Sequence, residues 1–172
     1  MKTYNDIYFS ARTALRRCGI EAYNLEARLI VAHAAGKSSA ELMRDLHLYT
    51  TSEVESKVRE YIERRIAGEP VAYITGSWEF YGLPMIVTPD VLIPRMDTEP
   101  LVFTALDILK DVSEPRILDL CCGSGCIGCA LGVNLPKARV IFADISSEAL
   151  SVTRKNISLH RLNSRAVALE AD

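Results

Sequence analysis

The sequence predicts an α/β protein: a small N-terminal helical bundle, a β-hairpin linker, and the first half of a doubly wound α/β domain. The N-terminal part carries apolar side chains at helical spacing. The next stretch is rich in β-branched and aromatic residues that glycine and proline interrupt. From Arg116 onward, strand-like and helix-like segments alternate, which favours parallel strands joined by helices. The three predicted parts are residues 1–70, 71–96 and 97–172.

The N-terminal part predicts four short amphipathic helices that pack as a bundle. They span about residues 4–18, 25–35, 38–48 and 52–66. Ser52, followed by Glu55 three positions later, predicts a capping box at the start of the fourth helix.

The rest of the chain predicts a hairpin and extended linker over residues 71–94, and then a helix over residues 98–110. Three strands and two helices follow, at residues 116–120, 126–134, 138–144, 147–160 and 165–172. The segment RILDL at 116–120 is largely apolar, so it predicts a buried strand.

Composition excludes several classes of protein. Hydrophobic residues make up 49% of the chain and charged residues 24%, which is not the composition of a disordered protein. The net charge is −2 and neither half is basic enough to attract nucleic acid, so we expect no direct binding to it. No apolar run approaches the ~20 residues that cross a bilayer, so we expect no membrane association. Five cysteines, four of them within residues 121–129, indicate a reducing, cytoplasmic setting.

A glycine-rich loop, DLCCGSGCIG at residues 119–128, joins the first strand of the α/β part to its helix. Small residues let the backbone approach a ligand, and the helix start offers free N–H groups. Asp144 ends the next strand, and parallel neighbours place both turns at one edge of the sheet. A carboxylate there can accept hydrogen bonds from both hydroxyls of a ribose, so the pattern predicts a nucleoside cofactor.

The identity of that cofactor stays open between two classes. Gly123, Gly125 and Gly128, with Asp144 downstream, satisfy the dinucleotide fingerprint, so an NAD-binding oxidoreductase is one alternative. Asp119, however, places a negative charge where a pyrophosphate favours neutral or positive groups. A cofactor with a cationic amino-acid tail fits that charge, which favours S-adenosylmethionine. A purely structural turn is the third alternative.

The cysteines of the loop have the spacing of a plant-type iron–sulfur site, Cys121-x4-Cys126-x2-Cys129. A cluster needs a fourth ligand, and Cys18 belongs to the other predicted domain. Because cysteine is a small residue that is readily buried, packing is the favoured interpretation and we predict no metal. A redox-sensitive thiol stays an alternative.

Three stretches resemble a known family: GEPVAYITGSWEFYG at residues 68–82, LIPRMDTE at 92–99 and ILDLCCGSG at 117–125. The sequence is similar to the HemK/PrmC family, the protein-(glutamine N5) methyltransferases that modify peptide chain release factors. The second stretch is the most specific of the three. The resemblance covers the whole chain, although the helical part matches by shape more than by motif.

The resemblance implies a Rossmann-like, S-adenosylmethionine-dependent methyltransferase domain and a helical domain that helps to hold a release factor. The substrate would be the glutamine of the release factor's Gly-Gly-Gln loop. With the carboxylate argued above, the implied cofactor-binding residues are Asp119, Cys121, Cys122, Gly123, Ser124, Gly125, Asp144 and Asp172. The implied residues lining the substrate entrance are Phe80, Pro94, Arg95 and Thr98.

The sequence departs from the family at three places. Met96 replaces a proline, and Cys121 replaces a glycine that many members carry, so we predict a negative φ at Cys121. The sequence also contains no Asn-Pro pair, whereas the family holds its target amide with an Asn-Pro-Pro-Tyr segment. We therefore expect this chain to be an inactive N-terminal fragment. Its strand at 116–120 would then form an exposed sheet edge through which the chain self-associates.

Other interpretations of the same residues stay open. Phe80 could pack the hairpin, Arg95 could form surface ion pairs with Asp97 and Glu99, and Asp119 could cap the following turn. Three other functions are alternatives: an N-methyltransferase for nucleic-acid bases, an NAD-binding oxidoreductase, and a binding module without catalytic activity.

Overall fold

The computed structural model describes residues 1–171 and divides the chain into two compact units, Met1–Thr75 and Gly76–Asp172. We call them the helical unit and the α/β unit. No helix within the described part of the chain is long and apolar enough to cross a membrane. Asp172 lies outside the described residues.

Five helices form the helical unit: α1 (Tyr4–Arg17), α2 (Tyr23–Ala34), α3 (Ser39–Arg44), α4 (Ser52–Ile66) and α5 (Val71–Thr75). Thr3 and Asp6 form a capping box at α1, and Ser38 and Glu41 form another at α3. The core of the unit consists of apolar side chains on the inner faces of the helices, among them Leu15, Ala27, Ile30, Leu42 and Ile62.

The start of α4 differs from the prediction. The side chain of Thr51, rather than Ser52, accepts a hydrogen bond from the Val54 N–H at 3.3 Å. Thr51 has the extended backbone of an N-cap residue, and Ser52 is already the first residue of the helix. The capping box that we predicted for Ser52 and Glu55 is therefore wrong.

Residues 71–75 form helix α5, whereas the sequence predicted extended structure there. Val71, Ala72 and Ile74 are buried, and α5 contacts α2 and α4. Burial against these helices outweighs the strand preference of the β-branched residues in this short segment. The helical unit consequently extends to Thr75, and α3 ends at Arg44, before the predicted position.

The predicted hairpin is present in the α/β unit. Strands β1 (Ser77–Phe80) and β2 (Leu83–Ile86) are antiparallel, with Phe80 opposite Leu83. The two turn residues between them, Tyr81 and Gly82, have φ values of +51° and +70°. Positive φ at both positions is typical of the type I′ turn that suits a two-residue hairpin.

A 3-10 turn at Met96–Thr98 and helix α6 (Glu99–Leu109) precede the three-stranded sheet. The remaining elements of the α/β unit are β3 (Arg116–Leu120), α7 (Cys126–Asn134), β4 (Arg139–Asp144), α8 (Ser147–Leu159) and β5 (Ala166–Glu170). The strands are parallel in the order β3-β4-β5. The predicted alternation of strands and helices is confirmed.

Among residues 1–171, helices cover only one face of the sheet. Helices α7 and α8 pack against it there and bury Val140 and Phe142. The opposite face exposes apolar side chains, namely Leu118 (61%), Leu120 (59%), Val167 (46%) and Leu169 (47%). Within the described residues β3 pairs only with β4, so it is an edge strand rather than the buried strand that RILDL predicted.

Candidate functional site

The glycine-rich loop and Asp144 lie at the same edge of the sheet. Strands β3 and β4 are parallel, with Leu120 opposite Ala143, so their carboxyl ends meet. The Cys122 N–H donates to the Ala143 carbonyl at 3.0 Å. The Gly123 N–H donates to Oδ2 of Asp144 at 2.8 Å. The predicted proximity of the loop and this carboxylate is therefore confirmed.

Both oxygens of the Asp144 carboxylate accept hydrogen bonds from the backbone. Oδ2 accepts from Gly123, and Oδ1 accepts from the Ser146 N–H at 3.0 Å. These bonds fix the orientation of the half-buried carboxylate. Because each carboxylate oxygen can accept more than one hydrogen bond, Asp144 can still bind two hydroxyl groups of a ligand.

Asp119 lies beneath the loop and is 8% exposed. Its Oδ2 accepts a hydrogen bond from the Gly128 N–H at 2.8 Å, so the carboxylate caps the first turn of α7. Burial raises the pKa of Asp119 to about 6, the nearby charge of Asp144 adds to this rise, and the Gly128 hydrogen bond opposes it. Two acidic side chains at this edge favour a ligand that carries positive charge.

Two glycines of the motif are required by close packing. Gly125, with a φ of +74°, precedes α7, and a Cβ there would lie 2.9 Å from Cγ2 of Thr153. A Cβ on Gly128 would overlap the Phe142 ring and lie 2.9 Å from Oδ2 of Asp119. The absence of side chains at these positions lets α7 approach the sheet closely.

Two residues of α8 donate hydrogen bonds to carbonyl groups of the loop, and neither was predicted from the sequence. The Thr153 hydroxyl donates to the Gly123 carbonyl at 2.8 Å, and the Asn156 amide donates to the Ser124 carbonyl at 2.9 Å. Both side chains are fully buried. The sequence could have indicated them, because these two polar residues lie three positions apart and are flanked by the apolar Val152 and Ile157, which are buried.

The buried cysteines of the loop are not activated thiols. Burial raises the pKa of Cys122 to about 11 and also raises the pKa of Cys129, so both thiols stay protonated near neutral pH. Their burial agrees with a packing role. Among residues 1–171, no three His, Cys, Asp or Glu side chains are placed to hold a metal ion.

The predicted negative φ at Cys121 is wrong. Cys121 is exposed, and its φ is +56°. Cys121 lies between Leu120, the last residue of β3, and Cys122, whose N–H donates to the Ala143 carbonyl. The chain must turn sharply at Cys121 to make this bond, and the turn imposes the left-handed conformation. A residue with a Cβ is strained in that conformation.

The predicted entrance residues occupy different environments. Phe80 is 1% exposed and lies in the core, which supports the alternative that its ring packs the hairpin. Pro94 is buried, Thr98 is half-buried and Arg95 is exposed. Among the ion pairs of residues 1–171 there is none that joins Arg95 to Asp97 or Glu99.

Instead, Glu99 connects the hairpin to α6. Its Oε1 accepts a hydrogen bond from the Tyr81 N–H, in the hairpin turn, at 2.9 Å. Glu99, at the end of the segment 92–99, is therefore held beside the hairpin by a hydrogen bond between its side chain and the backbone. The role predicted for Asp172 concerns a residue outside the described part of the chain.

Comparison with known proteins gives two family matches. The PrmC N-terminal domain matches residues 7–76, and the Methyltransferase small domain matches residues 101–172. A release factor glutamine methyltransferase of Bordetella pertussis is 43% identical over 148 residues, which cover 86% of this chain and 54% of that protein. One of Burkholderia pseudomallei is 41% identical, covering 86% of this chain and 51% of that protein.

The chain thus spans about half the length of the curated relatives it matches. Among solved structures, the human methyltransferase 10 domain containing protein is 17% identical, with a TM-score of 0.45. The superposition covers 54% of this chain and 47% of the human one.

We expect Asp119 to make the stability of the α/β unit depend on pH. Its raised pKa means that stability is greatest below the unfolded-state pKa of 3.8 and falls until the pH passes about 6. The loss is about 2–3 kcal/mol, since one pKa unit corresponds to 1.36 kcal/mol. Urea unfolding at pH 4 and pH 7, followed by fluorescence of the single tryptophan, Trp78, measures it.

The control is Asp119→Asn, which keeps an acceptor for the Gly128 N–H but has no charge. The free-energy difference between variant and wild type should grow in the variant's favour from pH 4 to pH 7. An equal difference at both pH values would contradict the shift assigned to Asp119.

Cys121→Gly should stabilise the protein. Glycine removes the left-handed strain, at ~1–2 kcal/mol, but loses more entropy on folding, at ~0.5–1 kcal/mol, so the net gain is about 0.5–1 kcal/mol. Urea unfolding followed by Trp78 fluorescence measures the change. Cys121→Ala removes the thiol but keeps the Cβ, and it should show no such gain. Equal stability of the two variants would mean that the turn does not strain the residue.

Proposed function

The chain belongs to the release factor glutamine methyltransferase family, HemK/PrmC, as its sequence predicted, and from this premise we propose its function. The proposed function is that of the cofactor-binding part of a methyltransferase. In this proposal the enzyme uses S-adenosylmethionine and methylates the side-chain amide of the glutamine in the Gly-Gly-Gln loop of peptide chain release factors.

The observation that carries the proposal is the hydrogen bond between the Gly123 N–H and Asp144, at 2.8 Å. It brings a loop of small residues and a carboxylate with free acceptor capacity to one site, which fits a nucleoside with an amino-acid tail. Residues 121–125 would surround the methionine portion, and Asp144 would accept hydrogen bonds from the ribose hydroxyls. S-adenosylmethionine, when bound, supplies a methyl group activated by a positively charged sulfur.

The negative charge at the site supports this cofactor over a dinucleotide. Asp119 and Asp144 both lie at the loop, and their charges repel one another enough to contribute to the raised pKa of Asp119. A cationic sulfonium or ammonium group nearby would relieve that repulsion, whereas a pyrophosphate would increase it.

We propose that the chain binds the cofactor but does not transfer the methyl group by itself. The Asn-Pro-Pro-Tyr segment, which holds the target amide in the family, is not within the 172 residues. Transfer to an amide nitrogen requires that the nitrogen be held close to the methyl group in a defined orientation. The helical unit, which matches the PrmC N-terminal domain, would contribute to holding the release factor.

The same proposal places the protein in the cytosol. All five cysteines are free thiols, and two of them, Cys122 and Cys129, are buried beside the loop. A reducing compartment keeps such thiols unpaired.

Titration calorimetry with S-adenosylhomocysteine tests the cofactor assignment. We expect the wild-type chain to bind this product of methyl transfer and to show no heat with NADH. Asp144→Asn should weaken binding by about tenfold or more, since hydrogen bonds to a charged group contribute ~1.5–3 kcal/mol.

Asp107→Asn is the matched control, because Asp107 is an exposed residue of α6 that pairs with Lys110. Its affinity should equal that of the wild type. Binding of NADH but not of S-adenosylhomocysteine, or equal affinity in Asp144→Asn, would contradict the proposal.

We also propose that a second copy of this chain pairs with the free edge of β3. In the part of the chain that the structure describes, no strand pairs with the outer edge of β3, and Leu118 and Leu120 beside it are more than half exposed. Open apolar edges are templates for pairing with another strand. Val167 and Leu169 extend the exposed apolar surface across the sheet.

Sedimentation velocity over a range of protein concentrations tests this pairing. The wild type should sediment faster as its concentration rises, and Leu118→Lys should stay monomeric because a charge on the edge opposes pairing. Ile108→Lys, at an exposed apolar position of α6, is the control and should behave as the wild type. A wild-type chain that is monomeric at its highest soluble concentration would contradict the pairing.

A further inference from the structure

Asn156 of α8 joins the hairpin to the glycine-rich loop. Its Oδ1 accepts from the Ile86 N–H at 2.7 Å, and its Nδ2 donates to the Ile86 carbonyl at 2.9 Å and to the Ser124 carbonyl at 2.9 Å. One side chain thus binds both backbone groups of a β2 residue and one carbonyl of the loop. These partners are 70 and 32 positions away in the sequence.

The environment of Asn156 makes these bonds difficult to exchange. The residue is fully buried, so water cannot replace a partner that moves away. A buried amide that loses a hydrogen bond bears the cost of its desolvation. If the Ser124 peptide moves, the Asn156 amide transmits the disturbance to strand β2, and a movement of β2 disturbs Ser124 in the same way.

Helix α8 makes further contacts with both the loop and the hairpin. Thr153, one turn before Asn156, holds the Gly123 carbonyl, and α8, which ends at Leu159, also contacts strand β2. Asn156 itself forms hydrogen bonds to both the loop and the hairpin.

We propose that Asn156 is a positioning residue through which occupation of the glycine-rich loop changes the hairpin. The inference rests on the proposed function, because the ligand in question is the adenosyl cofactor. A ligand held by the loop fixes the Ser124 peptide, and Asn156 then fixes Ile86 and the β2 strand. The hairpin and the cofactor site are in this way energetically coupled.

Trp78 provides a direct signal for this coupling. It is the single tryptophan of the chain, and it lies in β1 opposite Met85, next to Ile86 along β2. Its fluorescence therefore reports on the hairpin rather than on the loop. A stability defect alone would not change how Trp78 responds to a saturating ligand.

The test uses the full chain, S-adenosylhomocysteine as the probe, and the variant Asn156→Ser. In the wild type, saturation should shift the Trp78 emission. In Asn156→Ser the shift at saturation should be lost, and affinity should fall by about tenfold, within the range typical of coupled sites. Asn134→Asp is the matched control, because it removes a side-chain amide bond to the Ala130 carbonyl within α7, away from the hairpin. It should keep the wild-type shift and affinity.

A second variant approaches the same contact from the hairpin. Ile86→Pro removes the N–H that donates to Asn156 and leaves the loop unchanged, and Ile86→Val controls for the altered side chain. Because the bond from Asn156 Nδ2 to the Ile86 carbonyl remains, Ile86→Pro should reduce the emission shift, and Ile86→Val should keep it in full. This pair decides the question if Asn156→Ser does not fold, as judged by circular dichroism.

The outcomes separate the two proposals. If the wild type does not bind the probe, the cofactor assignment fails first. If the wild type binds it but Trp78 does not respond, the inference about Asn156 is wrong and the cofactor assignment stands. A full Trp78 response in a folded Asn156→Ser chain, or in Ile86→Pro, likewise overturns the role of Asn156.

Discussion

The parallel pairing of β3 with β4 is the constraint on which the candidate site depends. It places the ends of two strands, Leu120 and Asp144, at one edge of the sheet, although they are far apart in the sequence. The Gly123 and Cys122 N–H groups then close the loop onto β4 by two hydrogen bonds. Without this pairing the glycines would form an ordinary turn, and Asp144 would have no loop to orient it.

Stability is reduced at this same edge. Asp119 is buried with little compensation for its charge, and Cys121 is held in a left-handed conformation. Both features cost free energy in the folded protein, and their proximity to one loop is typical of a functional site. The surrounding structure maintains them through buried hydrogen bonds, particularly those from Thr153 and Asn156 to the loop carbonyls.

The sequence predicted much of this arrangement because its signals are local. The strand RILDL, the glycine spacing and the terminal position of Asp144 were sufficient to predict a loop and a carboxylate at one edge. The prediction for residues 71–75 was wrong because distant contacts decided the outcome, since these residues are helical and pack against α2 and α4. Phe80, for which the sequence left two roles open, is buried because the hairpin folds onto the rest of its unit.

The sequence by itself determined most of the element types and the parallel α/β order, because hydrophobic periodicity and glycine spacing are properties of short segments. The family followed from the resemblance of three short stretches, at residues 68–82, 92–99 and 117–125. Only the tertiary structure decided the sign of φ at Cys121, the capping role of Asp119 and the position of Asn156 between β2 and the loop. Each of these depends on which backbone groups meet across the fold. A buried polar group is defined by its partners, and no local pattern specifies partners that lie 70 residues away.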